Sequence, residues 1–192
     1  MTTPADTLLP QQTPGAPPFE LDARKPRQEA RRFLAGLALA ATFGLALGAG
    51  LGIPAMATHA IGVPIAFVVV ALVGGPAFYV ALAHAGVAVS PLALAGALSR
   101  GVDSAGLVLA GLAPTMLLLA VTCESQTTVA VYGVLGLAAG GWLGLRAMFR
   151  ELERGQLWTV RERLPHLAFA IFAGVLSLRI WWSVLALLGG GR

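Results

Sequence analysis

Arg179 and Glu124 are the two residues of this chain whose charge and placement most invite chemistry. Arg179 is the one charge set well inside an apolar run, and Glu124 lies in a short polar turn, Cys123-Glu124-Ser125. Counted from Pro165 at about 1.5 Å per residue, Arg179 stands roughly two-thirds of the way along its run. A guanidinium at that depth costs on the order of 2–3 kcal/mol on insertion scales and needs a partner or a way out. Two readings follow. In one, Arg179 pairs with Glu124 at the same level; in the other, its stem snorkels to headgroups beside the interfacial Trp181 and Trp182.

Arg146, Arg150 and Arg154 recur every four residues and so share one helix face, where they offer charge to a phosphate or a phospholipid head. His59, His84 and His166 are dispersed, without a carboxylate at metal-ligand spacing, and are expected at helix ends or in a loop near the interface. The single Cys123 excludes an internal disulfide and any multi-thiolate metal site. No nucleophile, base and orienting group converge, so a non-catalytic protein without a cofactor is expected. A lipid-modifying site built from Arg146, Arg150 and His166 ranks last among the alternatives.

These residues hang on five long apolar runs: 33–53, 61–85, 104–122, 127–149 and 166–188. Crossing a bilayer takes about 20 apolar helical residues, and the runs lack the alternation of barrel strands. The composition agrees: 57% hydrophobic and 11% charged, against about 25% charged in soluble domains. The expected fold is all-α, a polytopic membrane bundle of five transmembrane helices. Nucleic acid is not expected as a partner despite the net charge of +4, because the basic residues flank the apolar runs and no recognition element accompanies them.

Loop charge sets the expected topology. Arg24, Lys25, Arg27, Arg31 and Arg32 precede the first run; with that side inside, five crossings also place Arg100, Arg146, Arg150, Arg154, Arg161 and Arg163 inside. The loop 54–60, the Glu124 turn and the C-terminal residues 189–192 fall outside, giving N-in, C-out. A sixth crossing, made by splitting 61–99 at Gly74-Gly75-Pro76, would export the Arg146–Arg163 cluster; a kink there is preferred. A short interfacial helix over about 90–100 would open with Ser90 as N-cap and Pro91 in the first turn. Residues 1–23 form a Pro-rich cytoplasmic tail, expected to be disordered, and 24–32 form a basic segment beside the membrane. Ala55-Met56-Ala57 resembles a cleavage site, but the run before it is too long for a signal peptide and reads as an uncleaved anchor.

Small residues mark two faces. Gly36, Ala40, Gly44, Gly48 and Gly52 lie four apart on the first run, and Gly136, Gly140 and Gly144 on the fourth. Such grooves let helix backbones approach where no hydrophobic force drives association. The grooves are expected to pack on each other, on a partner or on a second copy.

The motifs Gly75-Pro76-Ala77-Phe78-Tyr79-Val80, Leu112-Ala113-Pro114-Thr115 and Gly144-Leu145-Arg146-Ala147-Met148-Phe149-Arg150, with Ile180-Trp181-Trp182 near the end, resemble small bacterial Yip1-like membrane proteins over about residues 60–188. The resemblance implies fold and topology alone, since the acidic-aromatic tail motif of the eukaryotic members is absent. Preference for Arg over Lys and heavy Ala, Gly and Leu usage are those of GC-rich bacterial genes. The expectation is a multi-pass protein of the bacterial cytoplasmic (inner) membrane: a non-catalytic scaffold or accessory subunit whose partners are the lipid bilayer and another membrane protein or itself. The alternative is a small oligomeric transporter or channel subunit, although ion-coupled carriers usually place a carboxylate near the midplane and these runs hold none.

Overall fold

The computed structural model describes residues 24–87, 89–153 and 160–189. These residues are helical almost throughout, with no strand among them. The first helix, α1 (Arg24–Gly48), tightens into a 3-10 turn over Ala49–Leu51. It absorbs the basic segment 24–32 as its first turns, with Glu29 and Arg32 paired one turn apart at 3.5 Å. Gly52 then takes φ 94°, a conformation that L side chains rarely adopt, and the chain reverses at once into α2 (Ile53–Val69). Pro54, in the first turn, needs no donor there and pre-sets φ. The loop expected over 54–60 is therefore the start of α2.

Beyond α2 the rod continues through a π-helical turn, Val70–Gly74, into α3 (Gly75–His84). Pro76 has no N–H for the Leu72 carbonyl, and the wider turn just before it accommodates the missing bond. The rod does not reverse at Gly74-Gly75-Pro76. It ends near Gly86, at φ 82°.

Helix α4 (Pro91–Thr122) opens as its sequence suggests: the Ser90 hydroxyl accepts from the Ala93 amide at 3.1 Å, and Pro91 follows. It then runs unbroken for 32 residues, so 90–100 are its first turns and no separate interfacial helix exists there. Cys123-Glu124-Ser125 turns the chain into α5 (Gln126–Leu152), where the Ser125 hydroxyl accepts from the Thr128 amide at 3.4 Å. The last helix is α6 (Val160–Gly189).

Among the described residues, four stretches are long and apolar enough to cross a membrane: Pro26–Leu51, Ile53–His84, Pro91–Thr122 and Gln126–Leu152. The apolar part of α6 within the described side chains, Leu164–Arg179, is shorter. Outward faces are apolar too; Leu72 is 69% exposed and Leu118 66%, an exterior unsuited to water over so large an area. This is a membrane protein. Its interior has two apolar cores. Phe43, Leu47, Val63, Leu109 and Met116 form the first. Phe78, Leu82, Leu94, Met148 and Phe169 form the second, toward the end where α1 starts. That end also carries Arg32, Arg100 and the end of α5, and is the basic end of the molecule.

Candidate functional site

The glycine grooves are where backbones meet, but they do not meet each other. A Cβ added at Gly36 would lie 2.7 Å from the Asp103 backbone of α4, and one at Gly106 would collide with the Gly36 carbonyl. Further along α1, a Cβ at Gly44 would collide with the His59 carbonyl of α2, and one at Gly48 would lie 2.6 Å from the Met56 backbone. Ala40, between them, is fully buried. The α1 groove thus turns from α4 to α2 along its length. Gly52 does not extend it, since nothing stands near its Cβ position and its role is the left-handed turn.

On α5, Gly144 abuts Gly101 and Ala105 of α4, and Gly140 receives Leu109. Gly136 and Gly133 instead receive Phe43 and Leu47 of α1 as side chains. Helix α4 therefore stands between the two grooves and supplies its own small residues, Gly101, Ala105 and Gly106. Ala105 and Gly106 lie in the apolar run 104–122 and Gly101 just before it.

At the basic end the polar side chains tie helices together. The Ser99 hydroxyl, 3% exposed, donates to the Glu29 carboxylate and joins α4 to α1. Arg100 pairs with Glu151 and joins α4 to α5. His166, expected at an interface, is 6% exposed. It meets Phe149 edge-on at 4.6 Å and Phe78 at 5.4 Å, while Phe169 packs on Phe78 at 4.7 Å. Edge-to-face packing of this kind is favourable and anchors α6 at this end. His59 is not in a loop: it is 2% exposed on α2, and its Nδ1–H donates to the Ala55 carbonyl at 2.8 Å, since a carbonyl oxygen only accepts.

No protein-family model matches the chain, and no curated protein or solved structure matches it either. The function must be read from the geometry.

Arg146 and Arg150 stand exposed one turn apart on α5; Arg154 and the tail 1–23 lie outside the described residues. Glu124 is exposed in the α4–α5 turn, and Arg179 is exposed on α6, both toward the end opposite the basic one. Among the described residues no group of three His, Cys, Asp or Glu could hold a metal ion.

One feature had no sequence signal. Helices α2, α4, α5 and α6 line an open-sided apolar cavity of about 580 Å³. Its wall runs along α5 from Val134 to Met148, about 21 Å of helix at 1.5 Å per residue. Phe67, Trp142 and Phe169 supply its aromatic surface, and His59 and Ser177 lie toward the end opposite the basic one. Its volume falls within the roughly 300–1,000 Å³ of ligand pockets.

Proposed function

We propose that the chain is a non-catalytic integral membrane protein, a scaffold or accessory subunit of a membrane complex. It crosses the bilayer five times, N-in and C-out, in the inner membrane of a bacterium, as its Yip1-like motifs suggest. Helix α6, 30 residues long, makes the fifth crossing. Support for the orientation comes from Arg32, Arg100, Arg146 and Arg150 gathering at the basic end, which the positive-inside rule assigns to the cytoplasm. There the exposed Arg146 and Arg150 meet anionic headgroups.

The observation that carries the scaffold reading is how the polar groups are used. Ser99–Glu29, Arg100–Glu151 and the His59 bond to Ala55 each hold helices or a helix turn in place. A core knitted at Gly36, Gly44, Gly106 and Gly144 is stiff, and its apolar outer faces are free for another membrane protein. The test is tagged purification from the native membrane in mild detergent, with mass spectrometry of what accompanies the chain. A second membrane protein at stoichiometric yield supports the reading; recovery of the chain alone as a defined oligomer opposes it.

A small transporter or channel subunit is the second reading. It is favoured by the position of the π-helical turn, since Val70 and Ala71 of that turn line the cavity and such turns recur at functional sites. Substrate-dependent flux in proteoliposomes would place it first.

A further inference from the structure

Among the described helix glycines, three combine an open Cβ position with a place on the cavity wall, and these three point to an occupant for the cavity. The packing glycines Gly36, Gly44, Gly106 and Gly144 each have foreign backbone within 3 Å of the Cβ they lack. Gly62 on α2, Gly141 on α5 and Gly174 on α6 have nothing within 4 Å, and all three line the cavity. Apart from proline, glycine is the poorest helix former, and neither a turn nor a neighbouring backbone requires it at these positions. Each one widens the same space.

The cavity also has an entrance. Rings hold α6 at the basic end: Phe169 and Phe172 cover Gly74, where a Cβ would lie 2.8 Å and 3.3 Å from them. Beyond the buried Ala173, the lining residues Gly174, Ser177 and Leu178 are exposed. From Gly174 to Arg179 no residue of α6 is buried, and a gap beside Gly174, Ser177 and Leu178 leaves the cavity open on that side. What lies outside that gap in a membrane is hydrocarbon. An apolar void of this size gains contacts when an apolar guest fills it, and water gains nothing there because the wall offers it almost no partners.

We propose that the cavity binds one acyl chain of a bilayer glycerophospholipid, entering sideways past Gly174, Ser177 and Leu178 of α6. The chain tip points toward Leu98, Leu145 and Met148. The glycerol end lies near Ser177 and the buried His59, the polar groups of the lining. Arg179, exposed on α6 just past the last lining residue, supplies the positive charge that complements the lipid phosphate at that level. The length of the wall along α5, about 21 Å, exceeds one leaflet's half of a hydrocarbon core about 30 Å thick, so one extended chain fits along it. The proposal rests on the membrane reading and is independent of whether a protein partner exists.

The test uses the full chain reconstituted in phosphatidylethanolamine–phosphatidylglycerol vesicles containing a trace of phospholipid with a diazirine in one acyl chain. After irradiation, labelled peptides are mapped by mass spectrometry. Labelling is expected at Phe67 and Phe169, saturating near one lipid per chain as the labelled fraction rises. Gly141→Leu with Gly174→Leu fills the cavity and is expected to cut that labelling at least tenfold. Gly111→Leu is the control, because its site is equally open but does not line the cavity; it should leave labelling unchanged. Labelling that grows without saturation, falls equally on outward residues such as Leu72 and Leu107, or ignores the filled cavity overturns the proposal. Labelling by a free diazirine fatty acid but not by the phospholipid overturns it as well. Saturation is read on the unmutated chain, so a filled variant that fails to fold does not remove the test.

Discussion

The carbonyl oxygen of Gly36 on α1 occupies the place where a Cβ of Gly106 on α4 would have to stand. The obstacle is backbone on a buried helix face, which cannot swing aside as a flexible side chain would. Gly106→Ala should therefore destabilise the bundle by about 1–3 kcal/mol, the usual cost of overpacking, and Gly106→Val by more. At Gly111, where the same space is open, Ala should be neutral or stabilising by up to about 1 kcal/mol through helix propensity. Thermal unfolding of the three variants in one detergent decides it; equal melting of Gly106→Ala and Gly111→Ala would show that the two helices do not touch there.

That contrast also marks how much of this fold was legible. Apolar runs and their length announced four helices long and apolar enough to cross a bilayer, because bilayer thickness fixes that length and the sequence displays it directly. Local signals gave the Ser90-Pro91 start and the disturbance before Pro76, since each depends on the donors of a few neighbouring residues. The reversal at Gly52 was readable in principle: Gly52-Ile53-Pro54 is a left-handed glycine followed by a first-turn proline, yet the loop was expected to extend to residue 60. What glycine spacing cannot encode is direction. It announces that a backbone may come close without saying whose, so α4's place between the two grooves needed three dimensions. The cavity was least legible of all, because it is made of residues ordinary in each helix and meaningful only where four helices fail to close.

Arg100 and Glu151 join α4 to α5, with side chains 35% and 21% exposed. Partial exposure keeps such a pair modest, about 1 kcal/mol, and the coupling should appear in a double-mutant cycle of Arg100→Ala with Glu151→Ala. The Nε of Arg100 is buried with no hydrogen-bond partner, and an orphaned donor is itself a cost. Arg100→Lys deletes that donor while keeping a cation for Glu151. Its stability should equal or exceed that of the unmutated protein, whereas Arg100→Ala should fall below it. A lysine variant as weak as the alanine variant would assign the stability to guanidinium geometry instead.

Pro76 denies the Leu72 carbonyl its helical donor, and the π-helical turn Val70–Gly74 lies just before it. Proline within a helix costs about 3 kcal/mol in water, less in a bundle where the wider turn and its neighbours satisfy the freed groups. Pro76→Ala should therefore raise the melting temperature. It should also shift the cavity wall formed by Val70 and Ala71, changing the labelling of Phe67 by an acyl-chain probe. A higher melting temperature with unchanged labelling would make the turn a tolerated irregularity rather than a shaper of the cavity.

Arg179 and Glu124 both stand exposed toward the same end of the molecule, on α6 and in the turn before α5. If they pair across the bundle, Arg179→Ala and Glu124→Gln should lower the thermal unfolding temperature in detergent by similar amounts, and the double variant should lose little more than either alone. If the guanidinium instead serves a lipid phosphate, the two substitutions part company. Glu124→Gln then leaves stability unchanged, and Arg179→Ala lowers it only when phospholipid is present in the micelle. The distinction is physical: an ion pair is internal and survives delipidation, while a phosphate contact leaves with the lipid. Unfolding curves with and without added phosphatidylglycerol, for the two single variants and the double, separate these outcomes. Indifference to both substitutions in both media would return Arg179 to plain snorkelling, with its charge in the headgroup layer.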